Sequence, residues 1–265
     1  MNILICGDIV GRSGRETVER FLPEIISKNK IDFVIINGEN SASGFGITEK
    51  ICKQLYNLGV DVITSGNHIW DQKEILTYIE NDHRLLRPCN YPVNTPGKGY
   101  GIFKLKNGEF ISVINVMCRL FMDFLDDPFI TLEEVIGNIK VKYGDKPIII
   151  DVHGESTSEK MALGHYFDGK VTAIVGTHTH VPTADLQVLE KGTFYQTDLG
   201  MCGDYDSVIG MNKQACIKKF TQKFLKTKLE PASGEGTLCG TFIKINEKNE
   251  VIDFKQIIKG GRLQV

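Results

Sequence analysis

The first part of the sequence alternates short apolar runs with helical patterns, and this alternation restricts the fold more than any other feature. The runs at residues 3–6, 33–36 and 60–63 have the length and composition of buried strands. Apolar residues recur at helical spacing between them, and Thr48 is placed to cap the second of these helices. Strand–helix–strand units form right-handed crossovers, so we expect the three strands to be parallel neighbours. The chain is therefore predicted to have an α/β fold.

The remainder of the chain adds antiparallel pairing to this pattern. Apolar runs separated by short polar turns predict two hairpins, residues 100–105 with 110–116 and residues 237–245 with 251–258. Further predicted elements are helices at 132–142 and 213–225, strands at 147–152, 171–175 and 193–197, and long surface loops at 85–99 and 198–211. No repeat or linker-like stretch divides the chain, so we expect a single domain over residues 1–265.

Five of the apolar runs end, within one or two residues, in side chains that can bind a metal ion. In α/β sheets, ligands collect outside the carboxyl ends of the strands, so these side chains should meet at one edge if the strands lie side by side. Carboxylates, amides and imidazoles together suit Zn, Mn or Fe better than Mg or Ca. An extended chain places residues two apart on the same side, which predicts that both histidines of the last pair face the site. The residues are Asp8, Glu39, Asn40, Asn67, His68, His153, His178 and His180.

The number of donors indicates two metal ions rather than one. A single ion is satisfied by about four to six donors. Two ions about 3.5–4 Å apart need an anionic bridge, which the Glu39 carboxylate can supply. Because only two carboxylates face two divalent ions, the pocket stays positive, attracts phosphate and lowers the pKa of a bridging water. These properties are typical of phosphoester hydrolysis.

The same region of the sequence admits a second interpretation. Gly7-x-x-x-Gly11-x-x-Gly14 follows the first strand and resembles a dinucleotide-binding loop, with Glu39 as the ribose-binding acid. That loop requires G-x-G-x-x-G, and Asp8 would place a carboxylate at the pyrophosphate. A dinucleotide fold also leaves the histidines unexplained, so we favour the metal site. We assign His83 and His165 to surface or packing roles.

The composition excludes several classes of protein. Hydrophobic residues make up 42% and charged residues 24%, which is ordinary for a globular protein. The net charge of −2 argues against a grip on long nucleic acid, although it leaves a local basic patch open. The seven cysteines contain no CxxC pair, which fits a reducing compartment. No apolar run reaches the roughly 18 residues of a membrane span, and no signal sequence begins the chain, so we expect a cytoplasmic protein.

Together these motifs resemble the calcineurin-like metallophosphoesterases. Gly66-Asn67-His68 matches the Gly-Asn-His motif of that superfamily, and His178 and His180 match its histidine pair. The usual Asp-x-His is Asp8-Ile9-Val10 here, and the usual Gly-Asp is Gly38-Glu39-Asn40. These departures, with the opening Gly-Asp-Ile-Val-Gly, are similar to the YmdB-like branch of the superfamily. The resemblance covers essentially the full chain.

The resemblance implies a four-layer α/β/β/α sandwich of two mixed sheets with a dinuclear metal site. The ions would be iron or manganese, and zinc also fits. The implied activity is phosphodiester hydrolysis of cyclic nucleotides, with 2′,3′-cyclic monophosphates favoured. Asn40 would replace the histidine that Val10 removes. Carried over by position, one metal takes Asp8, Glu39, Asn40 and His180, and the other takes Glu39, Asn67, His153 and His178.

In the mechanism we predict, hydroxide activated by the metals attacks phosphorus, and His68 protonates the departing ribose oxygen. Two alternatives stay open. The same metal centre can serve a phosphomonoesterase or a nuclease, and a weakened centre can serve a regulatory protein that binds nucleotide or RNA with little turnover. The expected partner is a small phosphoester, without a membrane and without long nucleic acid. A homo-oligomer is compatible with the sequence. Phe45, Trp70 and Tyr205 either stack on a base or pack in the core.

Overall fold

Two β-sheets face each other in the computed structural model, which describes residues 1–222, 224 and 228–263. Each sheet has six strands among the residues described. In chain order the elements are β1 (Asn2–Ile9), α1 (Gly11–Asn29), β2 (Phe33–Asn37), α2 (Glu49–Asn57), β3 (Val62–Thr64), α3 (Ile75–Tyr78), β4 (Tyr100–Lys104), β5 (Phe110–Met117), α4 (Pro128–Tyr143), β6 (Ile148–His153), α5 (Thr157–Tyr166), β7 (Ala173–Thr177), β8 (Gln187–Val188), β9 (Phe194–Gln196), β10 (Met201–Asp204), α6 (Lys213–Thr221), β11 (Gly236–Ile245) and β12 (Val251–Lys259).

The first sheet has the order β12-β11-β10-β1-β2-β3. Strands β1, β2 and β3 are parallel neighbours, as the sequence predicts. The second sheet has the order β4-β5-β6-β7-β9-β8, with β5, β6, β7 and β9 parallel. Both predicted hairpins, β4–β5 and β11–β12, are antiparallel pairs. The fold is therefore built from two mixed sheets.

Alternating side chains of the central strands pack against different layers, which produces the four-layer sandwich. Ile3 and Ile5 of β1 lie between the two sheets with Val175 of β7. Leu4, which points to the opposite face of the same strand, packs against Leu22 of α1. The outer face of the second sheet packs in the same way against α4 and α5. Burying each of these aliphatic side chains stabilises the fold by about 1.5–3 kcal/mol. Because both faces of these strands are buried, their sequences are continuous apolar runs rather than alternating patterns.

The five strands of the predicted site do not all lie side by side in one sheet, so the condition stated for their meeting at a sheet edge is not met. Strands β1, β2 and β3 belong to the first sheet, whereas β6 and β7 belong to the second. The carboxyl ends of the two sets nevertheless meet at one edge of the sandwich. There the Asn37 amide at the end of β2 donates to Asp151 Oδ2 of β6 at 3.2 Å. The site is thus built between the sheets rather than along one of them.

The segment predicted as a loop over 198–211 contains a buried strand, β10. It lies between β1 and β11 in the first sheet. Gly7 permits this approach, because a Cβ atom there would lie 1.8 Å from the Gly200 carbonyl oxygen. The helix predicted over 213–225 ends at Thr221, and residues 223 and 225 of that prediction lie outside the described residues. None of the helices described combines the length and apolar character needed to cross a membrane.

Candidate metal centre

The seven predicted ligands lie together at the edge where the two sheets meet. They occupy the last positions of strands or the loops that follow them, because a parallel strand directs its carboxyl end to this edge. Most are fully buried, and His178 keeps 21% of its side chain exposed. They form two neighbouring groups, which we call the His153 group (Glu39, Asn67, His153 and His178) and the His180 group (Asp8, Asn40 and His180).

In the His153 group, three donors surround one imidazole nitrogen. His153 Nε2 lies 3.1 Å from Glu39 Oε1, 3.3 Å from Asn67 Oδ1 and 3.0 Å from His178 Nδ1. These side chains come from four separate loops and strand ends of both sheets. Nitrogen and oxygen donors at these separations can close around a single ion of the zinc, manganese or iron type.

The hydrogen bonds behind the histidines fix which nitrogen each one presents. Thr177 donates its hydroxyl to Asp151 at 2.7 Å, so its oxygen accepts from His153 Nδ1 at 2.9 Å. His153 Nε2 is then the nitrogen with a free lone pair. In His178 the Nε2 atom faces Glu155 Oε2 at 3.3 Å, which leaves Nδ1 to face the group. Two lone pairs only 3.0 Å apart repel each other unless a cation lies between them.

The His180 group contains a buried oxygen without a partner. His180 Nδ1 donates to the Ile209 carbonyl at 2.8 Å, which turns Nε2 towards Asn40 Oδ1 at 3.2 Å and Asp8 Oδ1 at 3.9 Å. Among the described residues nothing donates to Asp8 Oδ1, although this oxygen is fully buried. Burying an unpaired carboxylate oxygen is costly, so a cation at this position explains the arrangement. The contact also fits the predicted substitution of Asn40 for the histidine that Val10 removes.

Gly66 leaves the space that the His153 group needs. A Cβ atom at this residue would lie 2.2 Å from His153 Nε2 and 2.4 Å from Glu39 Oε2. Both distances are far shorter than any real contact between such atoms, so only glycine lets this loop pass beside the donors. The space left by Gly66 fits a metal ion, and so do the ligand atoms that lack hydrogen-bond partners.

When protons are the only cations bound, each buried group strongly shifts the pKa of its neighbours. Burial lowers the pKa of His153, but the Glu39 carboxylate outweighs burial and raises that pKa to about 9. Burial raises the pKa of Glu39, and the positive His153 outweighs it and lowers the pKa to about 2. Burial, followed by repulsion from His153, lowers the pKa of His178 to about 3. Burial also raises the pKa of Asp8. A metal ion in the His153 group would take the place of the proton on His153.

The histidine pair faces the site for a reason that the sequence does not show. The expectation of an extended chain is wrong, because β7 ends at Thr177 and both histidines have left-handed backbone, with φ of 97° at His178 and 66° at His180. Each such conformation costs about 1–3 kcal/mol and clusters at functional sites. The loop is held by the His178 amide, which donates to Asp8 Oδ2 at 3.1 Å, and the Thr179 amide, which donates to Asp198 Oδ2 at 3.1 Å.

Sequence reasoning missed the charged residues that support the ligands. Asp151 is buried between the sheets and orients His153 through Thr177. Asp198 accepts from the buried Lys160 ammonium at 2.9 Å while it holds the histidine loop. Asp151 has a detectable signal, because it lies two residues before His153 and so points to the same side of its strand. Lys160 has none, since it continues the polar run Thr157-Ser158-Glu159 and is interpreted as a surface residue.

His68 belongs to neither donor group. Its backbone N–H donates to Glu39 Oε2 at 3.2 Å, while its ring points outwards with 28% of the side chain exposed. Asp71 Oδ2 lies 2.8 Å from His68 Nδ1, an interaction that sequence reasoning also missed. The Phe45 ring packs edge-on against His68 with centroids 5.1 Å apart. His68 thus stands beside the metal centre with its Nε2 atom available.

The other two aromatic residues singled out in the sequence have packing roles. Trp70 packs edge-on against Tyr91 with ring centroids 5.9 Å apart. The buried Tyr205 hydroxyl donates to the His180 carbonyl at 3.1 Å and accepts from the Met201 amide at 2.9 Å, so it anchors the histidine loop. His83 and His165 are exposed and lie outside the donor groups, as expected.

Comparisons with known proteins find similar sequences and similar folds. A family model described as YmdB-like protein matches residues 4–257. A 2′,3′-cyclic-nucleotide 2′-phosphodiesterase of Bacillus subtilis is 47% identical over 94% of this chain and 93% of its own length. A solved structure of a hypothetical protein from Thermus thermophilus matches with a TM-score of 0.91 and 38% identity, over 99% of this chain and 100% of its own. A solved structure of a novel phosphatase from Mycoplasma pneumoniae matches with a TM-score of 0.89 and 35% identity, over 98% of this chain and 93% of its own.

Proposed function

Because the chain belongs to the YmdB-like family, we propose that it is a metal-dependent phosphodiesterase that hydrolyses 2′,3′-cyclic nucleotides. The observation that carries this proposal is the convergence of imidazole, amide and carboxylate donors whose lone pairs face one another. The name of the Bacillus subtilis relative supports the substrate class. The chain is an enzyme rather than a regulatory binding module in this proposal.

Two metal ions occupy the centre in this proposal. The His153 group would hold one ion and the His180 group the other, and Glu39 would be the carboxylate available to both. The donor set suits iron, manganese or zinc, and the family resemblance favours iron or manganese. When bound, the ions supply a Lewis acid for the phosphoryl oxygens and lower the pKa of water. Gly66 leaves the space that the His153 and Glu39 side chains need to hold an ion.

His68 acts as the general acid in this proposal. Hydrolysis joins a water oxygen to phosphorus and breaks the bond from phosphorus to the ribose 2′ oxygen, which leaves with the electron pair of that bond. Because an alkoxide is a poor leaving group, a proton from His68 Nε2 should contribute about 10²–10⁴-fold to the rate. The Asp71 carboxylate, 2.8 Å from Nδ1, orients the ring. The product is a 3′-phosphate monoester with a free 2′ hydroxyl.

The test is metal analysis of the purified protein followed by a panel of phosphoesters. We expect two transition-metal ions per chain, and turnover of 2′,3′-cyclic mononucleotides that stops on chelation and returns when metal is restored. The panel includes 3′,5′-cyclic nucleotides and 3′-phosphate monoesters, because the similar Mycoplasma pneumoniae protein is described as a phosphatase, which makes that activity the second candidate. Preferred turnover of monoesters would replace our proposal with that one. Binding of cyclic nucleotide without turnover by the metal-loaded protein would support the regulatory alternative.

We further propose that the chain acts as one domain in the cytoplasm. All seven cysteines are free, and six of them are buried. Buried thiols without partners are typical of proteins that work in a reducing compartment.

A further inference from the structure

A groove of about 870 Å³ opens beside the metal centre. Its walls share a loop with the candidate ligands. The Gly11 amide donates to the Asn40 carbonyl at 2.9 Å, and the Arg15 guanidinium donates to the Ser41 carbonyl. The loop that carries Asn40 therefore forms one wall of the groove, and the start of α1 forms another. The residues that matter for its chemistry are Arg12, Arg15, Phe45, Lys219, Lys228 and Glu230.

The groove is positively charged, although the whole chain has a net charge of −2. Four cationic side chains and one carboxylate line it, which gives a local charge of +3. Arg15 is only partly exposed, and within the described part of the chain it forms no ion pair. Arg12 is 3.8 Å from Glu16, a loose and exposed pair. A half-buried guanidinium without an ion pair in a concave site favours an anionic ligand.

Phe45 connects this groove to the reaction centre. The Phe45 ring packs edge-on against the His68 ring, with centroids 5.1 Å apart and an interplanar angle of 71°. Its carbonyl oxygen accepts from Gln72 Nε2 at 2.8 Å, which fixes the loop. Phe45 also lines the groove, so a flat apolar side chain lies between His68 and the cationic residues. Aromatic surfaces beside cations are the elements by which proteins bind single-stranded nucleic acid.

We propose that the groove binds the nucleotide that precedes the cyclic phosphate, so that the preferred substrate is the 2′,3′-cyclic phosphate end of a short single-stranded RNA. The penultimate base stacks on Phe45, and the phosphodiester that joins the last two nucleotides contacts Arg12 and Arg15. A free mononucleotide lacks both groups and leaves the groove unused. This inference rests on the proposed function, since it assigns the last nucleotide to the metal centre.

The kinetic test compares a tetraribonucleotide that ends in a 2′,3′-cyclic phosphate with the corresponding cyclic mononucleotide. One arginine–phosphate contact and one stacked base are each worth about tenfold in binding, so we expect kcat/KM to be at least about tenfold higher for the tetranucleotide. Neutralising three exposed groove cations, in Arg12→Gln/Lys219→Gln/Lys228→Gln, should lower the ratio of the two kcat/KM values several-fold, because the phosphate contacts weaken while the stack on Phe45 remains. Lys28→Gln/Lys106→Gln/Lys248→Gln removes the same charge from exposed sites elsewhere and should keep the ratio.

A binding measurement separates this inference from the proposed activity. Fluorescence anisotropy measures the binding of a labelled tetraribonucleotide ending in a 3′-phosphate to the metal-loaded protein. We expect binding that weakens with salt, with a logarithmic slope that falls by about 0.7 for each phosphate contact the groove variant loses. Equal kcat/KM values for both substrates of the wild-type protein, or an unchanged ratio in the groove variant, would overturn the inference while the proposed function stands. Groove-dependent binding without turnover of either substrate would overturn the proposed function instead.

Discussion

Replacing Gly66 by alanine tests whether the donors around His153 form a metal site. The backbone of Gly66 has no positive φ, so alanine fits its conformation and only the space matters. The new Cβ atom would lie 2.2 Å from His153 Nε2, and an ordinary contact begins at 3.4 Å. One of the two groups must therefore move by about 1.2 Å.

A displacement of this size is several times what a metal site tolerates. Ligand distances in such sites hold to about ±0.2 Å. Even the loss of an outer partner of a ligand costs about 10–100-fold in metal affinity, so we expect Gly66→Ala to lose at least about 100-fold. Turnover of cyclic nucleotide should fall with metal content and recover in part at high metal concentration.

The measurements are metal content by mass spectrometry, metal titration, and thermal unfolding after chelation. Gly137→Ala is the matched control, because this glycine lies in α4 with open space around its Cβ position. It should keep both metals and stabilise the protein by about 0.5–1 kcal/mol through helix propensity. Two ions bound with unchanged affinity by Gly66→Ala would refute the assignment of this group as a metal site.

Three further predictions concern the residues around the centre. His68→Asn should retain both metals and lower kcat by about 10²–10⁴-fold, with a smaller loss in Asp71→Asn, and loss of metal from His68→Asn would make His68 a ligand. The chelated protein should be most stable near pH 6.5. Its stability should fall as the pH rises from 6.5 to about 9, because the folded protein holds a proton on His153 above the unfolded pKa, and it should fall below 6.5, because His178 stays neutral in the fold down to about 3. Differential scanning calorimetry across pH checks this, and the metal-loaded protein should lack the loss on the alkaline side. Lys160→Met should lower the free energy of unfolding by about 3–5 kcal/mol in urea titrations, because it leaves Asp198 buried without its partner, whereas Lys50→Met on the surface should change it by less than about 0.5 kcal/mol.

The sequence predicts local elements and strand ends well. The candidate site follows from this, because its residues come directly after the predicted strands. The position of Asp8 after β1 and of Glu39 after β2 follows from apolar runs whose ends are visible in the sequence. All seven predicted ligands meet because parallel strands deliver their carboxyl ends to one edge. Periodicity does not say which sheet a strand joins, however. The separation of β6 and β7 from β1 to β3 therefore could not be predicted from it.

The missed features share a physical cause. Lys160 and Asp198 neutralise each other in the interior, and a pair of charges far apart in the sequence carries no sign of that burial. Strand β10 contains glycine and aspartate, residues that usually mark loops, and only its neighbours β1 and β11 make it a strand. The left-handed backbone at His178 and His180 depends on hydrogen bonds that these histidines donate to distant residues. Each feature is fixed by tertiary contacts rather than by local preference.

The order of strands in the first sheet has a consequence for how the protein is made. Strand β1 is translated before its neighbours on one side, β10 and β11, which follow it by about 190 residues or more of chain. Asp8 likewise lies beside His180, which is translated more than half a chain length later. A nascent chain that stops before β10 has the early ligands but no completed sheet to position them. In the proposed metal centre, stable binding of the ions should therefore begin only after β10 and β11 have been translated.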